Sequence, residues 1–167
     1  MRVNGTKRLA LSAMLVAVML VLGYIESFIP SGAIPGIKIG LSNSVLLLGI
    51  MWLSIPNTFL LMLAKVILSG LTFSGVSAMM FSLAGGCVSM IVMCLLYKLG
   101  FGTVATGMAG AVAHNVGQVG LAMIILETNR LVYYMAILML VGLATGFATG
   151  TAAKLLQKRL PMLEMKK

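Results

Sequence analysis

The chain has 167 residues, 60% of them hydrophobic and only 9% charged, with a formal net charge of +9. Soluble domains carry about a quarter charged residues, so a water-soluble globule is excluded. The positive charge sits mainly at the chain ends and short connections, which is the footprint of orientation in a bilayer and not of a nucleic-acid groove.

The acidic residues are Glu26, Glu127 and Glu164, with no aspartate, which removes most Asp-based magnesium and phosphoryl-transfer chemistry. The uncharged runs between Lys38 and Lys65, Lys65 and Lys98, Lys98 and Glu127, and Arg130 and Lys154 each reach the roughly 20 residues that cross a hydrocarbon core of about 30 Å. In chain order, a first helix is expected over 9–29. It is longer than a signal peptide's apolar core and ends at Pro30 without a small-residue cleavage pattern, so it is expected to remain in the mature protein. The segment 30–43 (PSGAIPGIKIGLSN) mixes prolines, glycines and a lysine; it cannot hold a straight transmembrane helix and suits a long outer loop folded over the bundle.

Pro56 disfavours helix at the residue before it and Asn57 favours a cap, which splits the next apolar stretch into short helices over 43–55 and 57–71. A break at 72–75 precedes a helix over 76–97. Gly100-Phe101-Gly102 then precedes one over 103–126, and Glu127-Thr128-Asn129-Arg130 one over 131–158. The fold expected is all-α: a polytopic six-transmembrane-helix bundle forming a single integral membrane domain over 1–167. With six crossings, Arg2, Lys7 and Arg8, then Lys98, then Lys154, Lys158, Arg159, Lys166 and Lys167 fall on one side. By the positive-inside tendency that side is cytoplasmic, both termini included, in the cell membrane.

Small residues four apart mark close helix approach: Ala13/Ala17, Ala109/Ala113, and Gly142/Gly146/Gly150. The glycine stripe reads as internal packing; Ala13 and Ala17 read equally as packing or as a flat surface for an outside partner. Cys87 and Cys94, seven residues apart in one apolar run, lie about 10 Å apart on a helix, too far for a disulfide, and read as small buried hydrophobes.

Ionisable and amide side chains at membrane depth are costly and point to a site. Here they are Glu26, Lys38, Asn43, Lys65, His114, Asn115 and Gln118. Glu26 and Lys65 read either as an ion pair or as lining of an outward-opening pocket. His114 and Gln118 share a helix face, with Gly110, Gly117 and Gly120 around them sparing bulk for another helix or a ligand. The group reads as an interhelical hydrogen-bond network or as ligand contacts. Lys38 either covers an anionic or carbonyl-bearing substrate or snorkels to headgroups. A single histidine without further ligands at metal spacing is a poor metal site, and no cofactor is expected.

The runs Arg8-Leu9-Ala10-Leu11-Ser12-Ala13-Met14-Leu15-Val16-Ala17, Tyr24-Ile25-Glu26-Ser27-Phe28-Ile29-Pro30, Pro35-Gly36-Ile37-Lys38-Ile39-Gly40-Leu41-Ser42-Asn43, Ser82-Leu83-Ala84-Gly85-Gly86 and Gly110-Ala111-Val112-Ala113-His114-Asn115-Val116-Gly117-Gln118 resemble the Gx transporter family, also labelled heptaprenyl diphosphate synthase component I. More distantly, the layout is similar to the substrate-binding S components of energy-coupling factor transporters. That resemblance implies a substrate pocket on the outer side beneath the 30–43 loop. It also implies docking of Ala13 and Ala17 on a transmembrane coupling subunit served by cytoplasmic ATPases.

The function expected is membrane substrate binding and transport, capturing a small anionic or isoprenoid- or vitamin-like molecule from outside. The alternative is a non-catalytic membrane subunit of an isoprenoid, quinone or electron-transfer system. Prenyl diphosphate synthases hold magnesium with aspartate-rich motifs, and this chain has no aspartate, no P-loop and no Rossmann glycine pattern. It is therefore not expected to be an enzyme by itself.

Overall fold

The computed structural model describes residues 5–28, 38 and 40–160, and all regular elements among them are helical. Most of the expected loop, 29–37 and 39, lies outside the described residues, as do Arg2, Glu164, Lys166 and Lys167. The first helix, α1 (Gly5–Ser27), turns a single stripe inward, Leu15, Met19, Gly23 and Glu26, spaced as one helix face requires. The chain reappears at Lys38 and Gly40 and winds through a short 3-10 helix, Leu41–Ser44, into α2 (Val45–Trp52). Every residue of α2 is buried. A helix apolar on all sides has no water-facing stripe to offer, so it becomes the centre of the molecule. Around it gather Leu15 and Met19 of α1 and residues from the later helices, Leu61, Met62, Met90 and Met93.

The next helix, α3 (Ile55–Ser69), begins earlier than the expected 57, with Ser54 extended before it and Pro56 in its first turn. Proline is favoured there because its missing N–H would have no intrahelical partner; Pro56 therefore opens the helix and Asn57 does not cap it. A π-helical turn, Gly70–Ser74, leads into α4 (Gly75–Lys98), and Gly75 at the junction has φ 78. A Cβ on Gly86 would lie 2.7 Å from Met62 Sδ, and one on Gly70 2.9 Å from Met79 Cβ. Facing pairs 62/86 and 70/79 converge on the turn, so α3 and α4 are antiparallel legs of a hairpin.

The same pattern continues into α5 (Thr103–Ile125) and α6 (Leu131–Arg159). A Cβ on Gly117 would sit 2.9 Å from Gly85 Cα, and one on Gly110 2.5 Å from Met93 Cγ, so α4 and α5 are antiparallel. Gly146 faces Met108 Cα at 2.6 Å and Gly150 faces Val104 Cα at 3.0 Å by the same measure, which makes α5 and α6 antiparallel too. The stripe Leu138, Gly142, Gly146, Gly150 is buried against α5, backbone on backbone, as small residues allow inside a membrane.

Four stretches are long and apolar enough to cross a membrane: Gly5–Ser27, Ile55–Lys98, Thr103–Ile125 and Leu131–Arg159. The second is the folded hairpin of α3 and α4. Helix α2, about 12 Å long at 1.5 Å per residue, does not reach across alone, so the crossing expected over 43–55 is instead a short buried helix. Tyr24 stacks edge-on with Phe73 at 5.4 Å, fixing the C-terminal end of α1 beside the α3–α4 turn. Lys7, Arg8, Lys98, Lys154, Lys158 and Arg159 consequently share one end of the molecule, and Glu127 and Arg130 lie at the other.

Candidate functional site

Toward the end away from those basic residues, polar groups from five segments meet inside the apolar bundle. Glu26 closes the inward stripe of α1 and is 2% exposed; Lys65 of α3 is 2% and His114 of α5 is 1% exposed, while Gln118 and Asn43 are equally buried. Burying such groups costs several kcal/mol each unless hydrogen bonds replace water. The partners found here are largely Lys38, Gly40, Leu41 and Asn43.

Gln118 holds Lys38 by its backbone: the Lys38 N–H donates to Gln118 Oε1 at 2.9 Å, and Gln118 Nε2 donates to the Lys38 carbonyl at 2.9 Å. Glu26 Oε1 accepts the N–H of Gly40 and, at a loose 3.4 Å, that of Leu41, while Glu26 Oε2 has no hydrogen-bond partner. Gly40 has φ 92, in the left-handed region that glycine enters freely, and a Cβ there would fall 2.9 Å from His114 Cδ2. The segment fits over the imidazole only because residue 40 has no side chain.

A directed chain of hydrogen bonds runs below it. Lys65 Nζ donates to Asn43 Oδ1 at 3.1 Å, and Asn43 Nδ2 faces His114 Nδ1. An ammonium only donates, so it fixes the orientation of the Asn43 amide and turns Nδ2 toward the imidazole of His114. Helix α4 presses against its far side, where a Cβ on Gly85 would lie 2.6 Å from the His114 carbonyl oxygen and 2.8 Å from Gln118 Cγ.

Lys38 extends outward, its Nζ donating to Ser74 Oγ on the π turn and lying 5.2 Å from the Phe73 ring centroid, a cation–π distance. Burial pushes its ammonium below the usual lysine pKa, and the nearby Glu26 carboxylate opposes that shift. Lys38 is 7% exposed; it is a buried member of the site and not a snorkelling side chain.

Six of the seven residues singled out from the sequence, Glu26, Lys38, Asn43, Lys65, His114 and Gln118, therefore meet in one cluster. Asn115 does not join it. It faces α6, where its Nδ2 donates to the Leu138 carbonyl at 2.6 Å and its Oδ1 has no hydrogen-bond partner, because one residue along a helix turns the side chain by about 100°. Glu26 and Lys65 make their hydrogen bonds to other groups, Gly40 and Asn43, although the charge of Lys65 acts on Glu26. Of the three glycines expected to spare bulk, Gly110 and Gly117 meet α4, while Gly120 has nothing within 4 Å.

Ser74, Phe73 and Gly85 escaped the sequence reading as contributors. A serine inside the helix break at 72–75 was the available signal for the first.

The described residues of the cluster are buried, and an open groove lies elsewhere. A groove of about 580 Å³ between α4, α5 and α6 is lined by Val88, Val92, Ala105, Met108, Val112 and Leu143, with Ala109 and Ala113 in its floor. Every lining side chain is apolar, which suits acyl chains. Ala13 and Ala17 are exposed on α1.

An all-helical chain with membrane-length apolar helices and a buried polar cluster under a backbone strap defines a helical membrane protein. It belongs to the heptaprenyl diphosphate synthase component I family, whose model matches residues 15–156. No curated protein and no solved structure matches the chain.

Proposed function

We propose that this chain is a membrane substrate-binding protein of the energy-coupling factor S-component type. It captures a small anionic or isoprenoid- or vitamin-like molecule from outside and hands it inward. The observation that carries the reading is the strap of Lys38 and residues 40–44 lying over Glu26, Lys65, His114 and Gln118: costly polar groups held in an apolar bundle beneath a backbone cover. In this reading the bundle adopts the six-helix S-component arrangement, with α2 and α3 together serving where longer spans would stand. The end carrying Lys38 and Gly40 faces outward and both termini lie in the cytoplasm of a cell-membrane protein. The exposed Ala13 and Ala17 meet a transmembrane coupling subunit, which brings cytoplasmic ATPases, since the chain carries no nucleotide-binding motif of its own.

The family's printed name supports a second reading, a non-catalytic membrane subunit of an isoprenoid or quinone system. The chain has no aspartate for the magnesium–diphosphate site of such chemistry, so catalysis would rest on the partner. Native mass spectrometry of the protein gently extracted from its own membrane separates the two. The transport reading expects a retained small molecule that disappears in the Glu26→Gln, Lys65→Met, His114→Ala triple variant, together with an ATPase-linked complex. Stoichiometric recovery of a prenyl-chain or redox enzyme, with no small molecule, would replace it with the second reading.

A further inference from the structure

Three polar contacts of the cluster are made by buried side chains to the protein's own backbone. Gln118 engages both the N–H and the C=O of Lys38 at 2.9 Å, Glu26 engages the N–H of Gly40, and Gly40 lies directly over the His114 ring. Gln118 is fully buried and comes from a helix 80 residues away in sequence, so this is a long-range clamp and not a local turn. A carboxamide offers one donor and one acceptor side by side, and it is satisfied in full only by a partner presenting the complementary acceptor and donor. Within the cluster, Glu26 Oε2 is buried and without a hydrogen-bond partner.

Resting on the reading of this cluster as a ligand site, we propose that the strap residues Lys38, Gly40 and Leu41 are a built-in competitor occupying the ligand's place, and that the ligand carries a cis-amide edge, an adjacent N–H and C=O as in a lactam, ureide or cyclic imide. Such an edge pairs with the Gln118 carboxamide in a two-point ring, replacing the Lys38 backbone contact for contact. A bare carboxylate or phosphate offers Gln118 Nε2 an acceptor but leaves Gln118 Oε1 without a donor. A pure hydrocarbon leaves both atoms unpaired, the penalty by which polar sites reject analogues lacking a polar group. Strap and ligand are mutually exclusive in this arrangement, so ligand binding uncovers the strap.

The test places a reporter cysteine at partly buried Leu41 (Leu41→Cys) in the full chain, with Cys87 and Cys94 replaced by alanine, and follows the rate of labelling by a small maleimide in membrane vesicles. The probe is 2-piperidone, with N-methyl-2-piperidone as its partner lacking the N–H. Saturating 2-piperidone is expected to raise the labelling rate several-fold and the N-methyl compound to leave it unchanged. Gln118→Leu, which deletes both clamp contacts, is expected to raise the rate without any probe by about ten- to thirty-fold, the factor that two hydrogen bonds of ordinary net worth confer on an opening equilibrium.

A fall in labelling with 2-piperidone, meaning a strap that closes over its ligand, overturns the competition. Equal response to both probes, or none to either, overturns the cis-amide class. The probe arms use intact Gln118 and so do not depend on the variant folding. Failure of the transport reading registers separately, as the absence of a retained small molecule in native mass spectrometry, and leaves the Gln118→Leu labelling result standing.

Discussion

At the scale of single residues, the site turns on what Glu26, Lys65 and Gly40 can and cannot do where they stand. Gly40 combines φ 92 with a missing Cβ that would fall 2.9 Å from the imidazole of His114. Gly40→Ala is expected to destabilise the folded protein by about 1–3 kcal/mol, the usual cost of a strained backbone position, read as a lower midpoint of unfolding in detergent. Glu26 and Lys65 make separate hydrogen bonds, to Gly40 and Asn43, inside one buried cluster. A double-mutant cycle on Glu26→Gln and Lys65→Met is therefore expected to show the double variant less destabilised than the sum of the singles, by about 0.5–3 kcal/mol. Strict additivity would mean that the two charges do not act on each other.

Helix packing supplies the next scale, because α4, α5 and α6 approach so closely that glycine is a steric requirement at some positions and an accident at others. Gly146 presses on the backbone of α5 at Met108 Cα, whereas Gly120, on the same α5, has nothing within 4 Å. Gly146→Leu is expected to cost about 1–3 kcal/mol or more, since a backbone cannot move aside as a side chain can. Gly120→Ala is expected to gain about 0.5–1 kcal/mol through helix propensity alone. Thermal unfolding of the two variants in the same detergent checks both signs.

These helices were readable from sequence where charge and glycine punctuate the apolar runs: Gly100-Phe101-Gly102 does separate α4 from α5, and Glu127 to Arg130 does precede α6. The interruption expected at Ser54 to Asn57 is present, and the second helix starts two residues earlier than expected because proline inside a first turn opens a helix. The polar residues of the site were legible because each is anomalous at membrane depth. Their partners were not, since Gln118 and Glu26 bind backbone amides of the strap, which carry no side-chain signature, across 80 and 14 residues of chain. Asn115 was grouped with its neighbours by sequence adjacency, yet a helix separates adjacent side chains onto different faces, and only contact with the Leu138 carbonyl reveals which one it takes.

For the whole molecule, the antiparallel hairpins bring the described basic ends of α1, α4 and α6 together, opposite the polar cluster and its strap. Six cations at one end, Lys7, Arg8, Lys98, Lys154, Lys158 and Arg159, against Lys38, Arg130 and Glu127 at the other, impose a strong bias on insertion. That bias and the transport reading make the same demand: the strap must face outside for a molecule to be captured there, and the cationic end must face the cytoplasm. Single cysteines at Leu99 and Thr128, in a chain without Cys87 and Cys94, separate the ends experimentally. Leu99→Cys is expected to be protected from a membrane-impermeant maleimide in intact cells and to react after permeabilisation, while Thr128→Cys reacts in intact cells. The reverse pattern would leave the buried polar cluster and its strap intact but turn them toward the cytoplasm. Capture from outside would then be lost, and the isoprenoid-subunit reading, which sets no orientation for the strap, would take its place.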